Sequence, residues 1–123
     1  MANECNPLFR PGADVTVLTT GAVTGKTFVA ISAAPDSYGQ LKAATATAAG
    51  PIFGVAARDA GSGARVLVIK SGIVPVTGGG VIAVGAEVEV GSGGKAVTIA
   101  SGKAVGIACS VGANNAEVLI DLY

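Results

Sequence analysis

The sequence contains no histidine and no tryptophan, and aromatic residues make up only 4% of it. Without histidine, the side chain that titrates nearest neutral pH is missing. Any acid–base chemistry would fall to carboxylates and lysines. Two cysteines, Cys5 and Cys109, with no histidine beside them, fall short of the four ligands of a structural zinc site. Charge is sparse and balanced, with eight basic and eight acidic residues and no run of one sign. That leaves no nucleic-acid footprint and no polybasic membrane patch. The longest charge-free stretch, residues 71–86, is interrupted by Pro75 and by Gly78, Gly79 and Gly80. A membrane helix needs about 20 continuous apolar residues, so no membrane span is expected. Residues 1–11 lack the apolar centre of a signal peptide, which implies synthesis and folding in the cytoplasm. A disulfide is not expected in that compartment. Cys5 is then a free thiol, and Cys109, in an apolar run, a small buried one.

What is present points to β-structure. Half of the 123 residues are hydrophobic, mostly Val, Ile and Ala, and 19 are glycine. Val and Ile are stiff side chains that suit a pleated sheet, and glycines punctuate turns. The length suits one domain, and a monomer of this size buries roughly 65% of its unfolded surface. So apolar a chain is expected to hide surface against partner subunits. Residues 1–11 show no periodicity, and Pro7 and Pro11 push their predecessors toward extended backbone. The expected organisation is an extended N-terminal arm, residues 1–11, followed by a single β domain, residues 12–123. The fold class is all-β, a small β-barrel or compact sandwich built from hairpins.

Short strand-like runs fall at residues 14–19, 27–32, 64–70, 87–90, 96–99 and 117–122. The run at 64–70 is apolar on both faces in its middle, as in a core strand. Residues 87–90 alternate, which predicts one wet face carrying Glu87 and Glu89 and one dry face. The turn at 91–94 makes 87–99 a hairpin. The Ala/Thr-rich stretch 38–49 stays open between helix and strand. Gly54-Val55-Ala56 followed by Ala64 to Val68 recurs, with the same internal spacing, as Gly106-Ile107-Ala108 followed by Ala116 to Ile120. This reads as a repeated strand–turn–strand unit of a barrel or sandwich.

Candidate chemistry is thin. Gly21 to Thr27 superficially matches a phosphate-binding loop, but Gly21 and Gly25 stand one residue too close. A strand, not a helix, is expected to follow, so the helix N-terminus that would face phosphates is missing; Lys26 is read as solvated. Glu87 and Glu89 are two residues apart on one strand, an ordinary way to solvate a face. Lys70 and Ser71 are adjacent on extended backbone, so their side chains diverge. The aromatics are scattered and have no basic cluster around them, unlike a single-strand nucleic-acid platform.

The segment Phe53 to Gly72, FGVAARDAGSGARVLVIKSG, resembles the head decoration proteins of tailed bacteriophages, including the lambda type. The wider layout resembles a related group of small phage capsid cement proteins: Pro11-Gly12, Gly25 before an early strand, AVGAEVEV at residues 83–90, and the closing Gly-Ile-Ala and Val-Leu-Ile pair. The resemblance implies a structural virion protein without enzymatic activity. It implies a homotrimer on the outer surface of an expanded capsid, holding the shell against internal pressure through contact with the major capsid protein. It implies no cofactor, nucleic acid, membrane or small-molecule substrate. Such proteins commonly reach onto the coat protein with an N-terminal arm. Asn3, Pro7, Leu8, Phe9, Arg10 and Pro11 are therefore the candidate capsid-contact residues. Two other readings stay open. One is another phage tail or surface adhesin module. The other is a lipoyl- or biotinyl-type carrier, for which Lys95 follows a glycine turn but lacks the usual flanking residues.

Overall fold

A computed structural model describes Asn3 and residues 12–123. Five strands, β1 (Asp14–Thr19), β2 (Phe28–Ala33), β3 (Lys42–Thr45), β4 (Gly54–Ala56) and β5 (Arg65–Ile69), close into a barrel in the order β1-β3-β2-β4-β5. Five more, β6 (Ile73–Thr77), β7 (Glu87–Val90), β8 (Ala96–Thr98), β9 (Gly106–Ala108) and β10 (Glu117–Leu122), form a second sheet in the order β6-β10-β9-β7-β8. The period of two decides which side chains go inward. Val15, Val17 and Thr19 are buried on β1, Val66 and Val68 on β5, and Val118, Ile120 and Leu122 on β10.

The second sheet repeats the first, register by register. Thr16 pairs with Leu67 as Pro75 pairs with Leu119. Val29 pairs with Gly54 as Val88 with Gly106. Ala56 pairs with Val68 as Ala108 with Ile120. The parallel contact of Thr19 with Ala43 returns as a bridge between Gly78 and Ala96, and the Val23–Ala60 bridge as Ile82–Gly112. Even the left-handed turn residues coincide: Lys26 (φ 63) with Gly85 (φ 84), and Gly63 (φ 77) with Asn115 (φ 60). The repeat read from residues 54–68 and 106–120 therefore extends over the whole ten-strand fold.

Gly54 and Gly106 show why one residue type recurs at one place. A Cβ on Gly54 would lie 2.5 Å from the Ile69 carbonyl oxygen. A Cβ on Gly106 would lie 2.7 Å from that of Asp121. Each short strand crosses its neighbour too closely for a side chain.

The first core lies inside the barrel, around Val17, Val29, Val66 and Val68. The second joins Val76, Ile82, Val88, Val118 and Ile120 to Phe28, Ala46 and Val55 of the first unit. Fully burying a side chain such as Phe28 stabilises by about 1.5–3 kcal/mol, so the units are held together by shared core as well as by chain. Backbone bonds cross the same junction, from Thr77 N–H to the Lys26 carbonyl and from Ala49 N–H to the Val90 carbonyl, each 2.8 Å.

Several local expectations need correction. Glu89 does not share a wet face with Glu87: it is buried, because the segment after β8 folds over it and the Ala100 N–H donates to its Oε1 at 2.5 Å. The middle of β5 is not apolar-buried on both faces, since Leu67 points outward and is exposed. Cys109 is exposed, just beyond β9. The open stretch 38–49 contributes strand β3, whose Ala43 enters the barrel core.

Candidate functional site

Strand directions divide the molecule into two ends. β1, β3 and β4 run one way and β2 and β5 the other, and the second unit repeats this. The loops 20–27, 57–64, 78–86 and 109–116 therefore gather at one end. Because Thr77 N–H bonds Lys26 and Lys26 Nζ reaches Glu117 Oε2 at 2.6 Å, both units present these loops on the same side. The opposite end holds the start of β1, the 34–41 loop and the C-terminus. There Lys70 N–H bonds the Ala13 carbonyl and Leu122 N–H bonds the Gly72 carbonyl.

Residue 12, where the described chain begins ahead of β1, belongs to that second end. Asn3 is an exposed turn residue. Pro7, Leu8, Phe9, Arg10 and Pro11 lie outside the described residues, as does Cys5. Tyr38 is 95% exposed in the loop between β2 and β3. Its loop is built by Asp36, whose Oδ1 accepts the N–H of Tyr38 at 2.9 Å and of Gln40 at 3.0 Å. The bond from Gln40 holds the Asp36 carboxyl below its usual range; desolvation opposes it, and the Tyr38 N–H, Lys42 and Arg65 add to it. At the C-terminus the Tyr123 hydroxyl donates to Glu87 Oε2 at 2.5 Å. That bond raises the Tyr123 phenol, helped by desolvation and by the charges of Glu87 and Asp121.

The chemical candidates disperse. Lys26 sits in a left-handed turn that leads into strand β2 and pairs with Glu117, so the Gly21–Thr27 loop opens no helix. Asp59 Oδ1 accepts the Gly25 N–H at 2.7 Å and occupies the loop's own donor. Lys95 Nζ donates to Asn115 Oδ1 at 2.6 Å. Lys70 lies over the Phe53 ring, 4.4 Å from its centroid, a cation–π contact. Among the described residues no three His, Cys, Asp or Glu side chains gather as a metal site.

Sequence reasoning expected so apolar a chain to hide surface against partners but did not place that surface. Val81, Val84 and Val111 are 83%, 61% and 69% exposed, all in the loops of the first end. For Val81 and Val84 the signal was the charge-free stretch 71–86, weighed only as a membrane span; Val111 lies outside that stretch. Ile73 and Leu119 form a second exposed pair on the outer face of β6 and β10.

The comparisons bear on this arrangement. No curated protein sequence matches the chain. In fold it is similar to the crystal structure of the head fiber gp8.5 N base of bacteriophage phi29, with a TM-score of 0.77 over 89% of this chain and 92% of that one, at 20% identity. The phage cement protein family matches residues 9–122. Matched by this family over nearly its whole length, the chain belongs to the phage cement proteins, structural proteins associated with the capsid.

Proposed function

We propose that this protein binds the outer surface of the phage capsid as a homotrimer, contacts the major capsid protein, and stabilises the expanded shell. The observation that carries the reading is the family match across residues 9–122, which takes in the whole two-unit fold. Residues 12–123 act as one rigid β domain, supported by the core that Phe28, Ala46 and Val55 share with the second sheet. The arm, residues 1–11, is the clamp, with Leu8 and Phe9 as apolar anchors and Arg10 as a charged partner. Three arms per trimer multiply a modest contact through effective concentration. The role is mechanical: the protein performs no catalysis and takes no cofactor.

The test mixes purified protein with expanded and unexpanded capsids, images the products, and heats each sample until DNA is released. Ordered density on the outside of expanded shells and a higher release temperature support the reading. Bare shells at saturating protein overturn it. The fold likeness to a head fiber base favours a second reading, in which the domain is the foot of a surface projection. Density extending outward beyond this domain on native virions would select that reading.

A further inference from the structure

The duplication provides an internal control for the apolar end of the molecule. The second unit's loops, residues 78–86 and 109–116, contain no charged residue, and they expose Val81, Val84 and Val111. The counterpart loops of the first unit, residues 20–27 and 57–64, carry Lys26, Arg58 and Asp59. Ala22 stands where the second unit has Val81, Gly25 where it has Val84, and Asp59 where it has Val111. The Ile82–Gly112 bridge brings the two apolar loops side by side. The same backbone therefore presents Lys26, Arg58 and Asp59 in one unit and three exposed valines in the other, where Lys95 reaches the loop edge through Asn115.

We propose that Val81, Val84 and Val111 form the surface through which copies of this chain meet one another. This names the surface of the homo-oligomer in the reading above and rests on that reading. Charge selects a second copy. Around a rotation axis each side chain near the axis meets its own image, so a charge there meets a like charge. Loops without charge avoid that repulsion while burying three valines, and the Lys26, Arg58 and Asp59 loops do not. The contact is thus self-complementary in the second unit alone, which gives one such surface per chain and favours a closed ring over an open chain.

The test is sedimentation velocity of the full chain over a range of concentrations, for wild type, the double variant Val84→Glu with Val111→Glu, and Ala22→Glu. Wild type and Ala22→Glu are expected above monomer mass, and the double variant at monomer mass with a native far-ultraviolet spectrum. If the glutamates disturb folding, Val84→Ser with Val111→Ser is measured instead, with the association constant expected to fall at least tenfold. A wild type that stays monomeric throughout overturns the proposal, as does a folded double variant that assembles like wild type. Capsid co-sedimentation of the same samples separates the two readings. Intact self-association without capsid binding counts against the capsid role and leaves this surface standing.

Discussion

Lys26 Nζ and Glu117 Oε2 meet at 2.6 Å, and this ion pair ties the turn before β2 to the start of β10. The counterpart of Lys26 is Gly85 and that of Glu117 is Arg65, so the pair belongs to the junction and not to the repeat. Both side chains are about half exposed, at 53% and 50%. Exposed pairs of this kind contribute about 0–1 kcal/mol. Glu117→Gln is therefore expected to lower unfolding stability by less than about 1 kcal/mol, and the loss should shrink further as salt is added. Urea unfolding at low and high salt measures it; a large, salt-independent loss would contradict a pair so exposed.

The glycines at the starts of β4 and β9 carry more. Gly54→Ala and Gly106→Ala each push a methyl group into a neighbouring carbonyl and side chain, Ile69 and Val68 in one case and Asp121 and Ile120 in the other. Overpacking of this sort costs about 1–3 kcal/mol. The two variants are expected to lose similar amounts, because the duplicated register places the same crossing in both units. Denaturant titration of each single variant checks this, and a neutral result at either position would show that the local backbone relaxes freely.

Legibility followed locality. Strands β1 and β10 were readable to the residue because alternation within a strand reports its own two faces. The repeat was visible only in β4–β5 and β9–β10, where identical residues such as Gly54 and Gly106 or Ala56 and Ala108 mark it. The β1–β2 and β6–β7 segments also align without a gap, but their residues differ, as Lys26 from Gly85 and Phe28 from Glu87, and beyond them the shorter turn at 91–95 in place of residues 34–41 puts the matching positions out of step. Burial that depends on distant segments was hidden. Glu89 reads as a surface residue until the segment near Ala100 and Gly102 folds over it. Phe28 and Glu87 hold equivalent places, yet one packs into the second core and the other faces solvent. Cys109 looked buried because its neighbours are apolar, but it falls one residue past β9, where the chain has turned outward.

That correction makes a thiol prediction. In a Cys5→Ser variant, Cys109 is expected to react fully with a thiol reagent under native conditions, without denaturant. Cys109→Ala is expected to change stability by less than about 0.5 kcal/mol, as for a surface site. Spectrophotometric thiol titration checks the first and thermal melting the second. Protection of Cys109 in the free protein would place it under cover.

Asp36 gives a pH dependence confined to one loop. Its carboxyl is held below the usual range, chiefly by the Gln40 N–H, so the charged form is favoured in the folded state. The sign follows: this contribution is present above the carboxyl's unfolded pKa and is lost as pH falls through the lower folded value. The amides of Tyr38 and Gln40 are expected to lose hydrogen-exchange protection on acidification while the β10 amides keep theirs. Asp36→Ala should show the low protection at every pH, and Asp36→Asn should restore part of it without the pH dependence. Uniform loss across loop and core would place the acid sensitivity elsewhere.

The arm decides whether the β domain is the clamp or only its carrier. Deleting residues 1–11 is expected to leave the fold intact, because β1 begins at Asp14 and, among the described residues, the cores of both units draw on residues from Val15 onward. Capsid binding is expected to fall sharply. Burying Leu8 and Phe9 is worth about 1.5–3 kcal/mol each, and ordering the arm's backbone costs roughly 1–2 kcal/mol per residue. Two anchors alone do not offset that cost, so the proposed clamp requires the arm also to pair its backbone with the coat, as strand addition does. It follows that Leu8→Ala with Phe9→Ala should weaken binding less than the full deletion does. Disrupting self-association through Val84→Glu with Val111→Glu should weaken it by a separate route, removing the multiplication of three arms. Melting temperature and capsid co-sedimentation across these variants test the scheme. Equal capsid occupancy for full-length and truncated protein would assign the grip to the β domain itself, and an unfolded truncation would make the arm part of the fold.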